Sequence, residues 1–413
     1  MTSWDGTADM DRASTSPLRP AARAAMEPFL SDRYGNPSAA HALGRDAVRA
    51  VDEAREQLAE LLGCAPGEVV LTSGGTESDT HAVTGGVPVR TGRVVCSAVE
   101  HPAVLGAVRA LGGTTVGVDR FGRVDLDALA DELRRPDPSG RPVELVSVMA
   151  ANNELGTVND LRSTADVVAA HAPGAAFHTD AVQAAAWLDL VECTAPAGLV
   201  SISAHKFGGP KGVGALVVRR GVALRPLLHG GGQEWDRRSG TTNVPGVVGM
   251  AAALAAAASE RRIVAERVRS LRDRLADGLC SIEGVRWTVA PGSPDGDARL
   301  LPGVLHLLID DVDSEPLLFL LDRDGVRASA SSACASGAAA PSHVLAAVLG
   351  DHDLARQRGA LRLSLGHDAT DAEVDLALRV VPAAIAHLRG ADPRGARLGA
   401  PASPPATAAS GGR

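Results

Sequence analysis

The chain contains 413 residues, a length that predicts two domains rather than one. Its formal net charge is −8 and aromatic residues make up only 2%, a composition that argues against a nucleic-acid-binding protein, because such proteins need basic patches and rings that stack on bases. Hydrophobic residues make up 45%, so the chain can bury large cores built mainly from Ala, Val and Leu.

Helical and strand-like segments alternate from about residue 20 to about residue 250. A period near 3.6 residues predicts a helix over residues 45–62, and short apolar runs predict strands. The predicted strands are Val69–Thr72, 94–97, 145–149, 176–179 and Leu199–Ser203. Such alternation is typical of βαβ units, so we expect a mostly parallel sheet with helices on both faces.

A different pattern follows in the last third of the chain. Residues 250–258 open a long predicted helix that continues to residue 279, and strands are expected near residues 305–309 and 361–365. Residues 391–413 are rich in Pro, Ala, Gly and Ser and predict a disordered tail. We therefore expect a large domain over residues 18–255 and a smaller α+β domain formed by residues 1–17 and 256–390.

The cysteines and the N-terminus indicate the compartment. Five cysteines, an odd number without a C-x-x-C pair, argue against a disulfide framework and against a zinc or other metal site. No apolar run reaches the about 20 residues that a membrane helix needs. Residues 1–14 contain acids and no apolar stretch of the kind found in signal peptides. We therefore expect a cytoplasmic protein without membrane contact.

The segment after the first predicted strand has the composition of a phosphate-binding turn. Residues 73–78 (SGGTES) lead from the strand Val69–Thr72 into a helix, at the sheet edge where ligands bind in open α/β sheets. Glycines let the backbone approach a ligand, and a helix N-terminus offers free N–H groups to an anion. An ordinary structural turn explains the same residues equally well.

Asp180 and Lys206 follow two other predicted strands. A carboxylate buried there needs a cation, such as a protonated pyridine nitrogen, although a helix N-cap is the alternative role for Asp180. Lys206 can lose its proton through desolvation and form an imine with an aldehyde, although a solvated surface lysine is the usual alternative. The only other lysine, Lys211, lies in a Gly-Pro-Lys-Gly turn and fits the surface alternative better. Together these features are those of a pyridoxal-phosphate (PLP) site.

Cys334 differs from the other cysteines because it lies among small residues, in the segment 328–342 (ASASSACASGAAAPS). No large side chain anchors this segment, so we predict a mobile loop, as a nucleophile that carries an atom between two partners requires. A buried packing role is the alternative, and most cysteines have it. We assign that role to four residues: Cys64, Cys96, Cys193 and Cys280.

Arg362 lies in a predicted strand with an alternating pattern. Leu361, Leu363 and Leu365 share one face of that strand, so Arg362 points to the other face. A guanidinium there can bind a carboxylate through two parallel hydrogen bonds. An ordinary surface arginine is the alternative that the pattern alone favours.

These segments resemble the cysteine desulfurases related to NifS and IscS, in the class V aminotransferase superfamily of fold-type I PLP enzymes. The matching blocks are residues 34–38 (YGNPS), 72–78 (TSGGTES), 100–101 (EH), 152–154 (NNE), 180–183 (DAVQ), 203–206 (SAHK), 238–241 (RSGT) and 332–334 (SAC). The resemblance extends to about residue 390 and is specific because so many blocks occur in order. It implies a large PLP-binding domain with a mostly parallel seven-stranded sheet and a smaller α+β domain that carries the Cys334 loop.

The resemblance also implies roles for individual residues. The phosphate of PLP would be held by Gly75, Thr76, Ser203 and His205, and by Thr241 from the other subunit of a homodimer. The ring would be contacted by Asp180 at its nitrogen, by Asn153 and Gln183 at its oxygen, and by His101 through stacking and proton transfer. The substrate would be bound by Asn36, Asn153 and Arg362. Lys206, Cys334 and His101 would be the catalytic residues.

The activity implied by the resemblance is removal of sulfur from L-cysteine, which gives L-alanine and a persulfide on Cys334. A sulfur-acceptor protein, either an iron–sulfur scaffold or a thiolation enzyme, would then collect the sulfur. A selenocysteine lyase or a class V aminotransferase would share the PLP site. A non-catalytic sulfur-relay scaffold is a further alternative, against which the intact Lys206, Asp180 and His101 speak.

The sequence departs from the family pattern at two places. The usual Tyr-Leu-Asp start is represented only by Met10 and Asp11, followed by residues 13–15 (AST). After Gln233 and Glu234 the chain continues with residues 235–236 (WD), where the family has glycine and arginine or similar residues. We expect these differences to affect the entrance loop and access near the phosphate loop of the partner subunit.

Overall fold

A computed structural model describes residues 6–87, 92–291, 299–330, 342–350 and 359–390, and every structural statement below concerns these ranges. The predicted tail at residues 391–413 and the predicted catalytic Cys334 lie outside the described residues.

The strands of the described chain form three sheets. In chain order they are β1 (Ala8–Asp9), β2 (Val69–Thr72), β3 (Arg93–Ser97), β4 (Thr114–Val116), β5 (Val143–Ser147), β6 (Ala176–Asp180), β7 (Leu199–Ser203), β8 (Gly214–Val218), β9 (Val285–Trp287), β10 (Val304–Ile309), β11 (Val326–Arg327) and β12 (Gly359–Ser364). The largest sheet has seven strands in the order β2–β8–β7–β6–β5–β3–β4, and only β8 runs antiparallel to its neighbours in it. The expected mostly parallel seven-stranded sheet is confirmed.

The α-helices of the described chain connect and cover these strands. They are α1 (Pro20–Met26), α2 (Ala42–Leu62), α3 (Gly75–Gly85), α4 (Pro102–Ala110), α5 (Leu126–Arg134), α6 (Leu161–His171), α7 (Leu190–Cys193), α8 (Val244–Cys280), α9 (Ser314–Arg323), α10 (His343–Leu349) and α11 (Asp371–Leu388). No helix of the described ranges is long and apolar enough to cross a bilayer.

The last third of the chain builds the two smaller sheets. Strands β12, β10 and β9 form an antiparallel sheet in that order, and β1 from the N-terminus pairs in parallel with β11. This antiparallel sheet with helices α9 and α11 is the expected α+β architecture. Its buried core also takes Ala8 and Met10 from the N-terminus, so the first strand packs far from its sequence neighbours.

Helix α8 joins the two main cores of the molecule. Val247 and Leu254 in its first half belong to the core under the large sheet, whereas Val268 and Leu275 in its second half belong to the core of the smaller sheet. The domain boundary expected at residue 255 therefore falls inside one continuous helix, and the division into domains stays a prediction.

Several element boundaries differ from the sequence-based expectation by a few residues, and two of these differences have a local explanation. The long helix begins at Val244 rather than residue 250, because the Asn243 side chain caps it by accepting a hydrogen bond from the Gly246 amide at 3.1 Å. The strand expected at residues 145–149 is Val143–Ser147, because the Met149 amide donates to the Glu100 carboxylate instead of to a neighbouring strand.

Helix α2 shows how an apolar stripe positions a helix. Ala47, Val51, Ala54 and Leu58 are buried at spacings of three and four residues, and the helix ends at Gly63, whose φ of 63° lies in the left-handed region that glycine tolerates. The buried side packs against α8. The helix thus attaches one face of the sheet to the long central helix.

Replacing Leu58 by alanine should lower the free energy of unfolding by about 2–5 kcal/mol, because a fully buried leucine leaves a cavity when it is truncated. Urea denaturation followed by circular dichroism measures the effect. The control is Val48→Ala on the exposed side of the same helix, which should change stability little. Equal losses in the two variants would contradict the packing described here.

Candidate active site

A cavity of about 280 Å³ lies at the carboxyl ends of the strands of the large sheet. It is lined by Ala13, Ser14, Gly75, Thr76, Asp79, His101, Met149, Asn153, Asp180, Val182, Gln183, Ser203, His205, Lys206 and Arg362. Every residue predicted to bind the cofactor is among them except Thr241. The strand ends thus bring together side chains that are far apart in sequence, as the rule for open α/β sheets predicts.

The start of helix α3 forms one end of the cavity. A Cβ at Gly75 would lie only 3.1 Å from Val182 Cγ2 and 3.4 Å from Ser203 Cβ, so a larger residue would crowd the turn. No side chain of the described residues caps the N-terminus of α3, so the first backbone N–H groups of this helix can donate hydrogen bonds to an anion. Burial, and then the charges of Lys206 and Lys211, lower the pKa of His205 to about 4, so this ring is neutral near pH 7.

Asp180 lies buried at the end of β6. One of its oxygens accepts a hydrogen bond from the Val182 amide at 2.8 Å. Burial raises the pKa of Asp180, while His101 and Lys206 act in the opposite direction. A buried carboxyl of this kind is stabilised in its ionised form by a cation placed against it, and a protonated pyridine nitrogen is such a cation. The residue is therefore suited to the ring nitrogen of PLP.

His101 caps helix α4 and faces the same cavity. Its Nδ1 accepts a hydrogen bond from the Ala103 amide at 3.2 Å, which assigns the proton of the neutral ring to Nε2. Burial lowers the pKa of His101, so the neutral form is favoured. The cap bond thus fixes the His101 ring and leaves its Nε2–H free to interact with a group in the cavity.

Lys206 reaches across the cavity to the N-terminal segment of the chain. Its Nζ donates to the carbonyl of Ala13 at 2.6 Å and to that of Ser14 at 3.0 Å, and Gln183 Nε2 donates to the same Ala13 carbonyl at 2.8 Å. The surface alternative for Lys206 is therefore wrong. Sequence reasoning did not place Ala13 and Ser14 in the site; their position two and three residues after Asp11, next to the family's N-terminal motif, was the available signal.

Arg362 is buried on strand β12, with 3% of its surface exposed, and its side chain points into the cavity as predicted. One Nη donates to the carbonyl of Asn153 at 2.9 Å. The other donates to Asp11 Oδ1 at 2.7 Å and to Ser14 Oγ at 2.9 Å. The ordinary surface alternative for this arginine is therefore wrong, and Asp11, like Ala13 and Ser14, is a residue of the site that sequence reasoning missed.

Two predicted site residues lie away from this cavity. Asn36 is exposed, and its Oδ1 accepts a hydrogen bond from the Ser38 amide at 2.9 Å. Thr241 is exposed as well, in the segment before α8. Neither lines the cavity of its own chain, so the substrate role of Asn36 and the role of Thr241 in a partner subunit stay predictions.

The unusual residues after Gln233 form a constrained turn. Glu234, Trp235 and Asp236 have φ values of 50°, 56° and 63°, in a region that costs free energy for residues other than glycine. Arg55 stabilises the turn: its two Nη atoms donate to the two Glu234 oxygens at 2.8 Å, and its guanidinium lies 4.8 Å from the centre of the Trp235 ring. The Trp235 side chain itself is exposed.

The four cysteines assigned to packing differ among themselves. Cys96 is buried in strand β3, and Cys64 and Cys193 are half-buried. Burial raises the pKa of Cys64 and of Cys193 to about 11, so these thiols are not ionised near pH 7. Cys280 is exposed at the end of α8, so the buried packing role is wrong for it, because it lies on the outer side of the last turn while its neighbour Leu279 is buried.

Glu100 is a buried acid below the cavity. Its Oε1 accepts hydrogen bonds from Ser97 Oγ and from the Met149 amide, both at 2.7 Å, while its Oε2 has no partner within the described ranges. Burial raises the pKa of Glu100 to about 8. This carboxyl is therefore mostly protonated near pH 7, so it adds little negative charge next to the site.

The raised pKa predicts a pH dependence of stability. In the unfolded chain Glu100 ionises near its ordinary pKa of 4.5, so between about pH 4.5 and 8 the folded state binds the extra proton and the free energy of unfolding falls as the pH rises. Glu100→Gln, which cannot ionise, should flatten this decline, as measured by urea denaturation of the cofactor-free protein across that range. The exposed Glu53→Gln is the control. A slope equal to that of the unmodified protein would contradict the protonated state of Glu100.

Comparison with known proteins identifies the family. A profile of the aminotransferase class-V family matches residues 10–377. The cysteine desulfurase of Gluconacetobacter diazotrophicus is 42% identical over 393 residues, which cover 93% of this chain and 94% of that protein. The IscS-like cysteine desulfurase of Mycobacterium tuberculosis is 43% identical over 396 residues, which cover 92% and 97% of the two chains.

Solved structures agree with the sequence comparisons. A NifS-like protein superimposes with a TM-score of 0.82 at 32% identity, and the match covers 92% of this chain and 100% of that protein. The resemblance drawn from the sequence motifs is thereby confirmed. This chain belongs to the aminotransferase class-V family and, within it, to the cysteine desulfurases.

Proposed function

We propose that this chain is a PLP-dependent cysteine desulfurase that converts L-cysteine to L-alanine and takes the sulfur as a persulfide on Cys334. The observation that carries the proposal is the meeting of Lys206, Asp180 and the N-terminus of α3 in one cavity. Lys206 provides an amine for the aldehyde of PLP, and Asp180 provides a carboxylate for its ring nitrogen. The N-terminus of α3 provides hydrogen-bond donors for its phosphate. The family comparisons support the same activity.

The residues present fit this cofactor. The phosphate would be held by Gly75, Thr76, Ser203 and His205. The ring would be held by Asp180 at its nitrogen, by Asn153 and Gln183 at its oxygen, and by His101 against its face. When bound, PLP supplies an electron sink for the charge that develops at the Cα atom of an amino acid.

The side chains of the cavity would then bind the substrate and move its protons. Arg362 binds the carboxylate of L-cysteine, since a guanidinium donates to both of its oxygens. Lys206 Nζ removes the Cα proton, because the amine lies in the cavity and is directed by two carbonyl groups. His101 carries a proton on Nε2 and acts as the second proton carrier of the site.

Cys334 would accept the sulfur. Its thiolate attacks the substrate sulfur, so that an S–S bond forms as the C–S bond of the substrate breaks. The electron pair of the broken bond stays with the substrate Cβ, which gains a proton and becomes the methyl group of L-alanine. Electrons balance without an external oxidant, and the persulfide remains on Cys334 until an acceptor protein removes it.

The assembly and the partners follow from the same proposal. A homodimer would place Thr241, exposed in its own chain, at the phosphate site of the other subunit, as the family resemblance implies. The sulfur acceptor is an iron–sulfur scaffold or a thiolation enzyme, and the cytoplasm, where thiols stay reduced, is the expected compartment. The division into domains at residues 18–255 and 256–390, with residues 1–17 in the smaller one, belongs to this proposal as well.

Replacing Lys206 by alanine should remove the covalent attachment of PLP. The purified variant, incubated with PLP and then desalted, should lack the visible yellow absorbance, because no other lysine faces the cavity in the described ranges. Lys211→Ala, at the only other lysine of the chain and exposed in a turn, is the matched control and should stay yellow. A yellow Lys206→Ala protein after desalting would disprove the assignment of the cofactor lysine.

Replacing Cys334 by serine should leave the bound cofactor unchanged but stop the release of sulfide from L-cysteine, since serine cannot form a persulfide. Sulfide release in the presence of a thiol reductant and the cofactor absorbance are the two measurements. Cys280→Ser, at an exposed cysteine far along α8, is the control and should release sulfide at the full rate. Full activity of the Cys334→Ser variant would refute the persulfide role.

A further inference from the structure

His306 and Arg362 form a directly opposed pair on adjacent antiparallel strands. The Cα atoms of the two residues are partners in the register of β10 and β12. Side chains of such partners lie on the same face of a sheet, with their Cβ atoms about 4.5–5.5 Å apart. Both are buried, with 1% of His306 and 3% of Arg362 exposed. The two polar side chains are therefore buried next to each other.

Each side chain of this pair has one buried nitrogen without a hydrogen-bond partner within the described ranges. The Nη atoms of Arg362 bind Asn153, Asp11 and Ser14, but its buried Nε has no partner within the described ranges. His306 Nδ1 lies 2.7 Å from Thr288 Oγ1, while its buried Nε2 has no partner in the same part of the chain. A buried polar atom without a partner is costly, and two of them occur on directly opposed residues.

The chemistry of the two groups is complementary. A guanidinium can only donate, so the group that satisfies Arg362 Nε must accept a hydrogen bond. Burial, and then the charge of Arg362, lower the pKa of His306 to about 3, so its ring is neutral and one nitrogen keeps a lone pair. If Nδ1 carries the proton and donates to Thr288, the lone pair is on Nε2, the nitrogen without a partner.

We propose that His306 is a positioning residue for the substrate carboxylate: when Arg362 binds a substrate, its Nε–H turns to the neutral Nε2 of His306, and this hydrogen bond fixes the plane of the guanidinium. The Nη side of Arg362 then keeps its direction toward the cavity when a substrate arrives. His306 acts through Arg362 and does not itself touch the substrate. The inference rests on the proposed role of Arg362 in binding the substrate carboxylate.

The first test separates recognition of the carboxylate from folding. In the PLP-loaded enzyme, His306→Leu should weaken the binding of L-alanine about tenfold, the effect of losing one hydrogen bond to a charged group. Binding of ethylamine, which lacks the carboxylate, should not change. Calorimetric titration and the KM and kcat for L-cysteine are the measurements, and KM should rise about tenfold while kcat changes little.

Two further variants control for loss of packing. His306→Gln retains an acceptor and should recover most of the affinity for L-alanine. Leu308→Ala lies on the same face of β10, two residues from His306, and should lower the melting temperature without changing the ratio of L-alanine to ethylamine affinity. Should His306→Leu weaken L-alanine and ethylamine equally, or should Leu308→Ala reproduce its selectivity, the positioning role is wrong.

A double-mutant cycle distinguishes this inference from the proposed function. Arg362→Lys has no Nε–H, so His306→Leu should change the affinity for L-alanine by less than about twofold in that background. An undiminished effect of His306→Leu there would overturn the inference, because the histidine would then act independently of Arg362. If Arg362→Lys itself leaves carboxylate discrimination intact, the proposed role of Arg362 fails, and the positioning role of His306 fails with it.

Discussion

The structure depends on how the charges buried at the carboxyl edge of one mostly parallel sheet compensate each other. Asp180 and Lys206 stand at the ends of adjacent strands, and Arg362 approaches from the smaller sheet. Each of these groups would be expensive to bury alone. Their arrangement places one acidic and two basic side chains around one cavity. A charged cofactor and a charged substrate in this cavity can balance the remaining buried charge.

The N-terminal segment connects the two halves of this site. The carbonyls of Ala13 and Ser14 bind Lys206 on the large sheet, while Asp11 and the Ser14 hydroxyl bind Arg362 on the small one. The same segment begins with β1, which packs in the core of the smaller sheet. A short stretch of chain therefore joins the Lys206 end and the Arg362 end of the cavity.

The acids around the cavity differ in protonation because their surroundings differ. Glu100 is fully buried with hydrogen-bond donors on one oxygen only, so it favours the protonated form. Asp180 is buried as well, but His101 and Lys206 offset part of the increase in its pKa that burial causes. Glu100 can thus remain neutral next to the cavity, while Asp180 is available as the anion that a pyridine nitrogen requires.

Most of the fold and much of the site could be predicted from the sequence, because alternating apolar runs specify βαβ units and the residues after each strand necessarily meet at one sheet edge. Strands β2 and β7 have their predicted bounds, and Asp180, Lys206 and Gly75 reach one cavity as expected. Tertiary structure alone decided the contacts of Asp11 with Arg362 and the pairing of His306 with Arg362. These contacts join segments separated by many residues, and their geometry depends on how two sheets pack, which no local periodicity encodes.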